Sequence, residues 1–324
     1  MPMRVLVTGR GSIAQRHVRH LRELVPAVEL AVISSTGEMD ATFLPCASFS
    51  EMQTGLAWKP DAVVIASISS KHAQELELCL QLGIPCLIEK PLVVSRDQLV
   101  SLQQLAQKKM RPSALVVGCN LRYLPALRKL HDELWRAAPY RVLRAHLEVG
   151  QDLSQWRPSR DLETSYSAIS SLGGGVIFDL VHEIDMAQWL LGPLQVHGAV
   201  GGHLSPLPIQ SDDVHVALLK TVCGAPVVVS LDYVSQQAVR KYTIVTTDGT
   251  FEVDIIGKNI TLLDRQGRRV ITDIADDFDV KRTYQLQMMD WLAAIADPAH
   301  EVVLSFAEAV ATADLMLGMQ EAVS

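Results

Sequence analysis

The chain has 324 residues, longer than most single hydrophobic cores grow, so its length predicts two domains. Apolar residues make up 48% and charged residues 20%, a globular composition, and the net charge of -7 comes without the basic block of a nucleic-acid-binding protein. No apolar run approaches the ~20 residues of a membrane span, and the start lacks the pattern of a signal peptide, so we expect a cytoplasmic protein that binds neither membrane nor nucleic acid.

The first 120 residues alternate short β-branched runs with stretches of helical periodicity. Strands are predicted at Arg4 to Thr8, Leu30 to Ser34, Ala62 to Ala66, Cys86 to Glu89 and Ala114 to Gly118. Helices are predicted at Ile13 to Leu24, Lys71 to Leu82, which Gly83 would end, and Arg96 to Lys108. This alternation predicts an α/β domain over residues 1–120 with a doubly wound parallel sheet.

Residues 121–324 change character, because strands follow one another with few helices between them. The predicted strands are Arg141 to Val149, Val196 to Gly202, Val214 to Thr221, Val227 to Tyr233, Tyr242 to Thr247 and Thr250 to Ile255, with a hairpin at Asp248-Gly249. The predicted helices are Tyr123 to Trp135, Tyr284 to Ile295 and Phe306 to Met319, the last capped by Ser305. We therefore expect a C-terminal α+β domain with a large, mostly antiparallel open sheet, and its last helix is a candidate to pack back on the first domain.

The segment V-L-V-T-G-R-G-S-I-A at residues 5–14 has the order strand, glycine turn, helix. In this order Gly9 permits a tight turn, Gly11 lets the backbone approach a pyrophosphate, and Ala14 allows close packing of helix on strand. The positive end of the helix then faces the phosphates. The segment predicts a dinucleotide site of the Rossmann type, with cofactor contacts from Gly9, Arg10, Gly11, Ser12, Ile13 and Ala14.

The end of the second strand decides which dinucleotide binds, since an acidic residue there marks NAD. The sequence has hydroxyl side chains instead, at Ser34, Ser35 and Thr36, and Arg10 in the glycine turn is available to face a 2′-phosphate. We therefore expect NADP as the preferred cofactor and NAD as the other candidate. The alternative is that Arg10 points to solvent and Glu38 supplies the carboxylate.

The apolar run Ile84 to Ile88 ends in Glu89-Lys90-Pro91, at the carboxyl end of a predicted parallel strand. Doubly wound sheets bind ligands at that edge, so we predict that Glu89 and Lys90 line the cofactor site. A lysine beside the nicotinamide can hold or deprotonate a substrate hydroxyl. The alternative is a surface ion pair between the two charged residues.

The segment G-G-G-V-I-F-D-L-V-H-E-I-D-M at residues 173–186 predicts a helix that begins near Val176 and carries Asp179, His182 and Asp185 on one face. An imidazole flanked by carboxylates is a reasonable general acid or base. The alternative is a solvated face, and H-E-x-x-D lacks the second histidine of a zinc protease helix. The five cysteines contain no C-x-x-C pair, and we predict no metal site.

Together these motifs resemble the glucose-fructose oxidoreductase and inositol dehydrogenase family (Gfo/Idh/MocA) over nearly the whole chain. The resemblance rests on G-R-G-S-I-A, A-S-I-S-S-K-H-A at 66–73, G-I-P-C-L-I-E-K-P-L at 83–92, N-L-R-Y-L-P-A-L at 120–127, the D-L-V-H-E-I-D helix and S-F-A-E-A-V near the end. It implies that Ser67 and His72 belong to a nicotinamide-side loop, that His182 transfers a proton, and that Lys90 positions the hydroxyl. Asp179 is the third catalytic candidate, three residues before the histidine where many members have four.

The segment W-R-P-S-R-D-L-E-T-S-Y-S-A at 156–168 resembles the branch of the family that works in surface-sugar and amino-sugar biosynthesis. Substrate contacts are accordingly expected, besides Asp179 and His182, from Arg122, Trp156, Arg157 and Tyr166. The resemblance also implies a homodimer or homotetramer built through the open face of the second sheet.

The expected function is hydride transfer between a nicotinamide and a secondary alcohol of a sugar, and an amino sugar or a nucleotide sugar is the narrower expectation. One alternative is a catalytically silent protein that senses NAD(P) or a sugar. The other is a lyase that uses NAD transiently and shows no net cofactor reduction.

Overall fold

The computed structural model describes residues 2–34, 41–109, 115–135, 141–156, 162–163 and 165–323. The chain divides into two compact units, the first made of Met1–Cys119 and Tyr284–Ala313 and the second of Asn120–Thr283 and Asp314–Ser324. Within the described ranges, no helix combines the length and the apolar character that a membrane crossing requires.

The first unit contains a six-stranded parallel sheet in the order β3-β2-β1-β4-β5-β6. Its strands are β1 Arg4–Thr8, β2 Glu29–Ile33, β3 Ala47–Phe49, β4 Ala62–Ile65, β5 Cys86–Ile88 and β6 Leu115–Val117. The helices in this part of the chain are α1 Ser12–Leu24, α2 Met52–Ala57, α3 His72–Leu82 and α4 Arg96–Lys109. The predicted doubly wound sheet is confirmed, and Gly83 ends α3 in the left-handed conformation as expected.

Two helices lie near the end of the chain, α9 Val280–Ala296 and α10 Phe306–Glu321. The sequence analysis assigned residues 284–313 to the second domain, with its last helix as a candidate to pack on the first, and the structure packs these residues in the first unit. Met288 and Trp291 are buried in the core against β1, β2 and β4, and the side chain of Gln287 donates a hydrogen bond to the carbonyl of Val117 (2.9 Å). This packing between residues distant in sequence is not visible in local periodicity, which explains the difference.

The second unit contains an eight-stranded sheet in the order β14-β13-β12-β11-β7-β10-β9-β8. Its strands are β7 Val142–Gly150, β8 Leu194–Gly202, β9 Val214–Thr221, β10 Pro226–Asp232, β11 Val239–Thr246, β12 Thr250–Asp254, β13 Asn259–Asp264 and β14 Gly267–Thr272. Among the strand pairs that the structure describes in this sheet, β7–β10 is parallel and the others are antiparallel, so the predicted, mostly antiparallel sheet is confirmed. Sequence analysis had missed β13 and β14, as well as β3 and α2 in the first unit.

One face of this second sheet is covered and the other is open. Along β9, His215, Ala217 and Leu219 are buried, whereas Val216 and Leu218 between them are exposed. The alternation follows from the period of two in a strand, and it gives a core face and a solvent face. The helices that belong to this part of the chain are α5 Pro125–Trp135, α6 Leu153–Trp156, α7 Val176–Asp179 and α8 Val181–Leu191.

Candidate active site

The glycine turn after β1 has the geometry that a dinucleotide site needs. Gly9 has φ +83°, and a Cβ atom there would overlap the carbonyl oxygen of Ala66, so no other residue fits without strain. Gly11 is different, because a Cβ there would meet no described atom within 4 Å. Packing within the protein therefore explains Gly9, whereas the open space at Gly11 is where a ligand's phosphates can approach.

Helix α1 begins directly after this open space and can attract an anion. Gly11 is its N-cap, the first turn contains no acidic residue, and among the described residues no side chain caps the helix. The N–H groups of the first turn, with the positive end of the helix dipole, therefore face the turn, and a pyrophosphate fits there. Ala14 is buried, as its predicted packing role requires.

The residues that would select NAD or NADP are described only in part. Ser34 is buried at the end of β2 and its N–H bonds to the carbonyl of Phe49 (2.8 Å), while Arg10 is half-buried. Ser35 and Thr36, predicted cofactor contacts, lie outside the described residues, as does Glu38. The preference for NADP stays a prediction.

Parallel pairing brings the functional strand ends of the first unit to one edge. The N–H of Ala66 bonds to the carbonyl of Thr8, and the N–H of Glu89 bonds to the carbonyl of Ile65. In the same way, the N–H of Gly118 bonds to the carbonyl of Ile88 on the neighbouring strand. The glycine turn, the loop from Ala66 and the E-K-P segment are therefore neighbours, as expected for ligand binding at the carboxyl edge of such a sheet.

Within the E-K-P segment, Glu89 is buried and bonds to a histidine of α1. Its Oε1 atom lies 2.7 Å from Nε2 of His17, and Glu89 and His17 are 6% and 0% exposed. Lys90 is half-buried and precedes a cis peptide bond to Pro91. The alternative of a surface Glu89–Lys90 pair does not fit this buried position of the carboxylate.

Burial raises the pKa of Glu89, but the hydrogen bond and charge of His17, with the charges of Lys90 and His72, outweigh it and lower the pKa below its ordinary value. Sequence reasoning did not assign His17 a role. The available signal was a histidine on the buried face of α1, between Ala14, Val18 and Leu21.

The loop after β4 is held by a second buried network. The Glu75 carboxylate accepts hydrogen bonds from the hydroxyls of Thr8 (2.7 Å) and Ser67 (2.9 Å). The ring nitrogens of His72 lie 2.8 Å from the carbonyl oxygen of Pro91 and 3.1 Å from that of Ser67. His72 is buried, so it ties the Ser67 loop to the E-K-P segment, and its contact with a cofactor stays a prediction.

In the second unit, Asp179 is a buried acceptor for three hydroxyl groups. Tyr166 bonds to its Oδ1 (2.6 Å), and Ser167 and Tyr233 bond to its Oδ2 (2.6 and 2.7 Å). Burial first, and then the charge of Asp179, raise the pKa of Tyr233 well above its ordinary value. This arrangement gives Asp179 and Tyr166 structural partners, while their catalytic and substrate roles stay predictions.

The predicted helix over 176–186 is divided at Leu180, whose φ and ψ of -100° and 24° end α7 before α8 begins. His182 lies half-buried in the first turn of α8. Its acidic neighbours contact basic partners: Glu183 lies 2.7 Å from Nε of Arg240, and Asp185 receives Nε and Nη2 of Arg122 (3.0 and 2.9 Å).

The predicted substrate contact Arg122 is buried and pairs with Asp185. Removal of either partner would leave a buried charge without its counter-ion, and the contact of Arg122 with substrate stays a prediction. Arg157 and the side chain of Trp156 lie outside the described residues. Lys90 belongs to the first unit and His182 to the second, and their joint action also stays a prediction.

A cavity of about 350 Å³ opens in the second unit at the ends of β7, β10, β11 and β12. Its polar lining residues are Gln151, Asp232, Arg240 and Lys258, and its apolar ones include Leu180, Ile255 and Phe278. An apolar wall with a polar rim suits a sugar ring, whose C–H faces and hydroxyls need both. Leu180, which lines the cavity, lies two residues before His182 in the chain.

The pKa of Asp212, in the second unit, is raised toward neutrality. Its side chain accepts the N–H of Ile177 in the first turn of α7, and Gly175 leaves it the space, since a Cβ there would overlap Oδ1. Burial first, and the charges of Asp213 and Asp179, raise the pKa of Asp212 to about 6. Sequence analysis gave no signal for this residue.

Within the ranges that the structure covers, no group of three or more His, Cys, Asp or Glu side chains is arranged to hold a metal ion.

Residues 3–118 match the model of an oxidoreductase family with an NAD-binding Rossmann fold, and residues 141–252 match the GFO/IDH/MocA C-terminal domain. The chain belongs to this family of NAD-binding oxidoreductases. The two matches confirm the resemblance to the Gfo/Idh/MocA family that the sequence motifs indicated.

Two curated relatives align with most of the chain. Inositol 2-dehydrogenase 2 of Paenarthrobacter aurescens is 26% identical over 91% of this chain and 88% of its own length. UDP-N-acetylglucosamine 3-dehydrogenase of Acidithiobacillus ferrooxidans is 27% identical over 81% of this chain and 78% of its own length. Levoglucosan dehydrogenase, solved with NADH and levoglucosan, shares the fold with a TM-score of 0.85 at 19% identity, covering 99% of this chain and 97% of that one.

We predict that the substitutions Gly9→Ala and Gly11→Ala separate fold from cofactor binding. Gly11→Ala should leave the melting temperature nearly unchanged, because its Cβ enters open space, and should weaken NAD(H) binding about tenfold or more by calorimetry. Gly9→Ala is the contrasting variant. Its side chain would be strained by the left-handed backbone and would overlap the Ala66 carbonyl, so the free energy of unfolding should fall by about 1–3 kcal/mol. Unchanged NAD(H) affinity in Gly11→Ala would refute the assigned phosphate position.

We also predict that Asp212 makes stability depend on pH. Its pKa is raised from 3.8 to about 6 on folding, so the folded state binds the proton more tightly and loses stability as pH rises from about 4 to 6. Asp212→Asn should remove this loss, on the order of 2 kcal/mol in urea unfolding at pH 7 relative to pH 4. Asp273→Asn, at an exposed position of the same unit, is the control and should keep the wild-type pH dependence.

Proposed function

We propose that this oxidoreductase transfers a hydride between a nicotinamide dinucleotide and a secondary alcohol of a sugar or cyclic polyol. The observation that carries the proposal is the shared strand edge of the first unit, where the glycine turn, the Ser67 loop and Lys90 follow neighbouring strands. The relatives whose names give inositol, UDP-N-acetylglucosamine and levoglucosan as substrates support the choice of a ring alcohol.

In this proposal the chain's own residues bind the dinucleotide and handle the alcohol proton. The dinucleotide supplies the hydride chemistry when it is bound at the glycine turn. Lys90 holds the substrate hydroxyl or carbonyl oxygen, and His182 accepts or returns its proton as the C–O bond order changes. Asp179, held by three hydroxyls, fixes the residues just before His182 and is the third candidate for proton transfer.

The substrate's finer class is an amino sugar or a nucleotide-linked sugar. The name of the Acidithiobacillus relative supports this choice, and the cavity beside Leu180 supplies room for a ring substituent. Its rim carries Arg240 and Lys258, which can bond to hydroxyl or phosphate oxygens. We place the enzyme in the cytoplasm, where nicotinamide dinucleotides are available.

NADP is proposed as the preferred dinucleotide. The hydroxyl of Ser34 takes the place of the acid that marks NAD sites, and Arg10 follows Gly9 in the turn, where a guanidinium can pair with a 2′-phosphate. The solved relatives carry NADH or NAD, so the comparison of the two cofactors is part of the test below.

A homo-oligomer built through the open face of the eight-stranded sheet is also proposed. Val200 pairs with Val216 across β8 and β9, and Leu218 pairs with Val228 across β9 and β10, which gives contiguous apolar positions. Val200, Val216 and Leu218 are 74%, 39% and 43% exposed. Apolar patches of this kind mark protein interfaces.

The function is tested with a panel of polyols, sugars, amino sugars and nucleotide sugars, measured by the absorbance of the reduced nicotinamide ring. We predict that at least one ring alcohol reduces the oxidised dinucleotide. We also predict that kcat/KM is higher with NADP than with NAD. Lys90→Met should abolish turnover while dinucleotide affinity stays at the wild-type value, because the lysine acts on the substrate oxygen. Lys281→Met, at an exposed position, is the matched control.

Two results would contradict this account of the reaction. Full turnover in Lys90→Met would assign the lysine a structural role only. Tight dinucleotide binding without turnover across the whole panel would remove the dehydrogenase proposal itself.

The assembly is tested by light-scattering mass measurement. We predict that the wild-type chain is a dimer or tetramer and that Val216→Asp with Leu218→Asp shifts it toward monomer, because charges at the centre of an apolar interface are costly to bury. Val100→Asp places the same charge at an exposed position on α4 and should leave the mass unchanged. A monomeric wild-type protein would refute the interface.

A further inference from the structure

A buried hydrogen bond joins the helix of the glycine turn to the E-K-P segment. Nε2 of His17, on α1, lies 2.7 Å from Oε1 of Glu89, which directly follows β5. His17 is fully buried and Glu89 nearly so, so neither group exchanges this contact for water. The contact links two segments that the proposed function uses for different tasks, cofactor binding and positioning of the substrate oxygen.

The Glu89 carboxylate is the hydrogen-bond partner that the structure describes for the His17 ring. Nδ1 is buried, and within the described ranges no group hydrogen-bonds to it. A carboxylate oxygen can only accept, so the hydrogen bond requires a proton on Nε2. His17 is therefore an N–H donor toward Glu89, and an apolar side chain at this position would leave the buried carboxylate without that donor.

The Glu89 carboxylate has charged or titratable neighbours on each side. Lys90 follows it in the chain, His72 faces it from α3, and His17 faces it from α1, while Gly118 of the β6 end contributes no charge. The lack of a side chain at Gly118 gives Glu89 its space, since a Cβ there would lie 2.9 Å from Oε2. His17 lies within hydrogen-bonding distance of the Glu89 carboxylate (2.7 Å).

We propose that His17 is a positioning residue that acts through Glu89: its Nε2–H holds the buried carboxylate in place beside Lys90, and this anion in turn positions the lysine head. The inference rests on the proposed role of Lys90 and adds to it a residue on the cofactor-binding helix. Without the donor, burial would favour the protonated form of Glu89, and Lys90 would lose its neighbouring negative charge.

A merely structural role predicts something else. If His17 only fills space between α1 and β5, then its replacement by an apolar side chain would lower stability and dinucleotide affinity without moving any titration. If it acts through Glu89, its effect disappears when the carboxylate is already removed. This difference allows a test by substitution in two backgrounds.

The test compares His17→Gln, His17→Leu, Glu89→Gln and the double variant His17→Leu/Glu89→Gln as full-length proteins. Gln retains a neutral N–H donor of similar reach, so His17→Gln should keep kcat within about twofold of wild type, whereas His17→Leu should lose about tenfold or more. The acid limb of the kcat profile should move up by about one pH unit in His17→Leu, because the pKa of Glu89 rises. The double variant should be no slower than Glu89→Gln.

A readout that needs no turnover is the titration of the Glu89 carboxyl carbon by nuclear magnetic resonance, with Glu89→Gln identifying the signal. The midpoint should rise in His17→Leu and stay near wild type in His17→Gln. An unchanged midpoint in His17→Leu, or additive losses in the double variant, would overturn the proposal.

If no sugar is turned over by the wild type, the proposed function fails while this titration still decides the role of His17. If His17→Leu does not fold, the Gln variant decides: loss of activity there with an unchanged midpoint overturns the proposal.

Discussion

The parallel register of β1, β4, β5 and β6 is the constraint on which the candidate site depends. Because Thr8, Ile65, Ile88 and Val117 are aligned across the sheet, the residues that follow them reach the same edge. The glycine turn needs its positive φ and the absence of a Cβ to pass the Ala66 carbonyl. If the register slipped by one residue, every side chain at this edge would move to the other face, and the site would be lost.

Buried carboxylates with dedicated donors recur through both units. Glu89 is held by His17 and Glu75 by Thr8 and Ser67 in the first unit, while Asp179 and Asp185 are held by hydroxyls and by Arg122 in the second. Removing one partner of such a group leaves a buried charge uncompensated, which costs more than the contact itself contributes. The acid-rich helix near His182 is thus ordered by its pairings, and it is not a solvated face.

The architecture could be predicted from the sequence because strand and helix periods differ and because glycine marks special turns. The alternation before residue 120, the strand run after it and the Gly83 helix end were all readable, and the Ser305 cap is confirmed by its bonds with Glu308. Long-range packing was not readable. The burial of Trp291 in the first unit, the His17–Glu89 bond and the break at Leu180 each depend on residues that are distant in sequence or on backbone angles without a local signature.

The proposed function assigns Lys90 and His182 to one substrate oxygen and the glycine turn to the dinucleotide. It is tested most directly by the distances in a crystal structure of the protein with NAD(P)H and an alcohol from the panel. The account predicts that Lys90 Nζ and a ring nitrogen of His182 each lie about 3 Å from the oxygen on the carbon that faces nicotinamide C4. A complex in which either side chain contacts no substrate atom would contradict it.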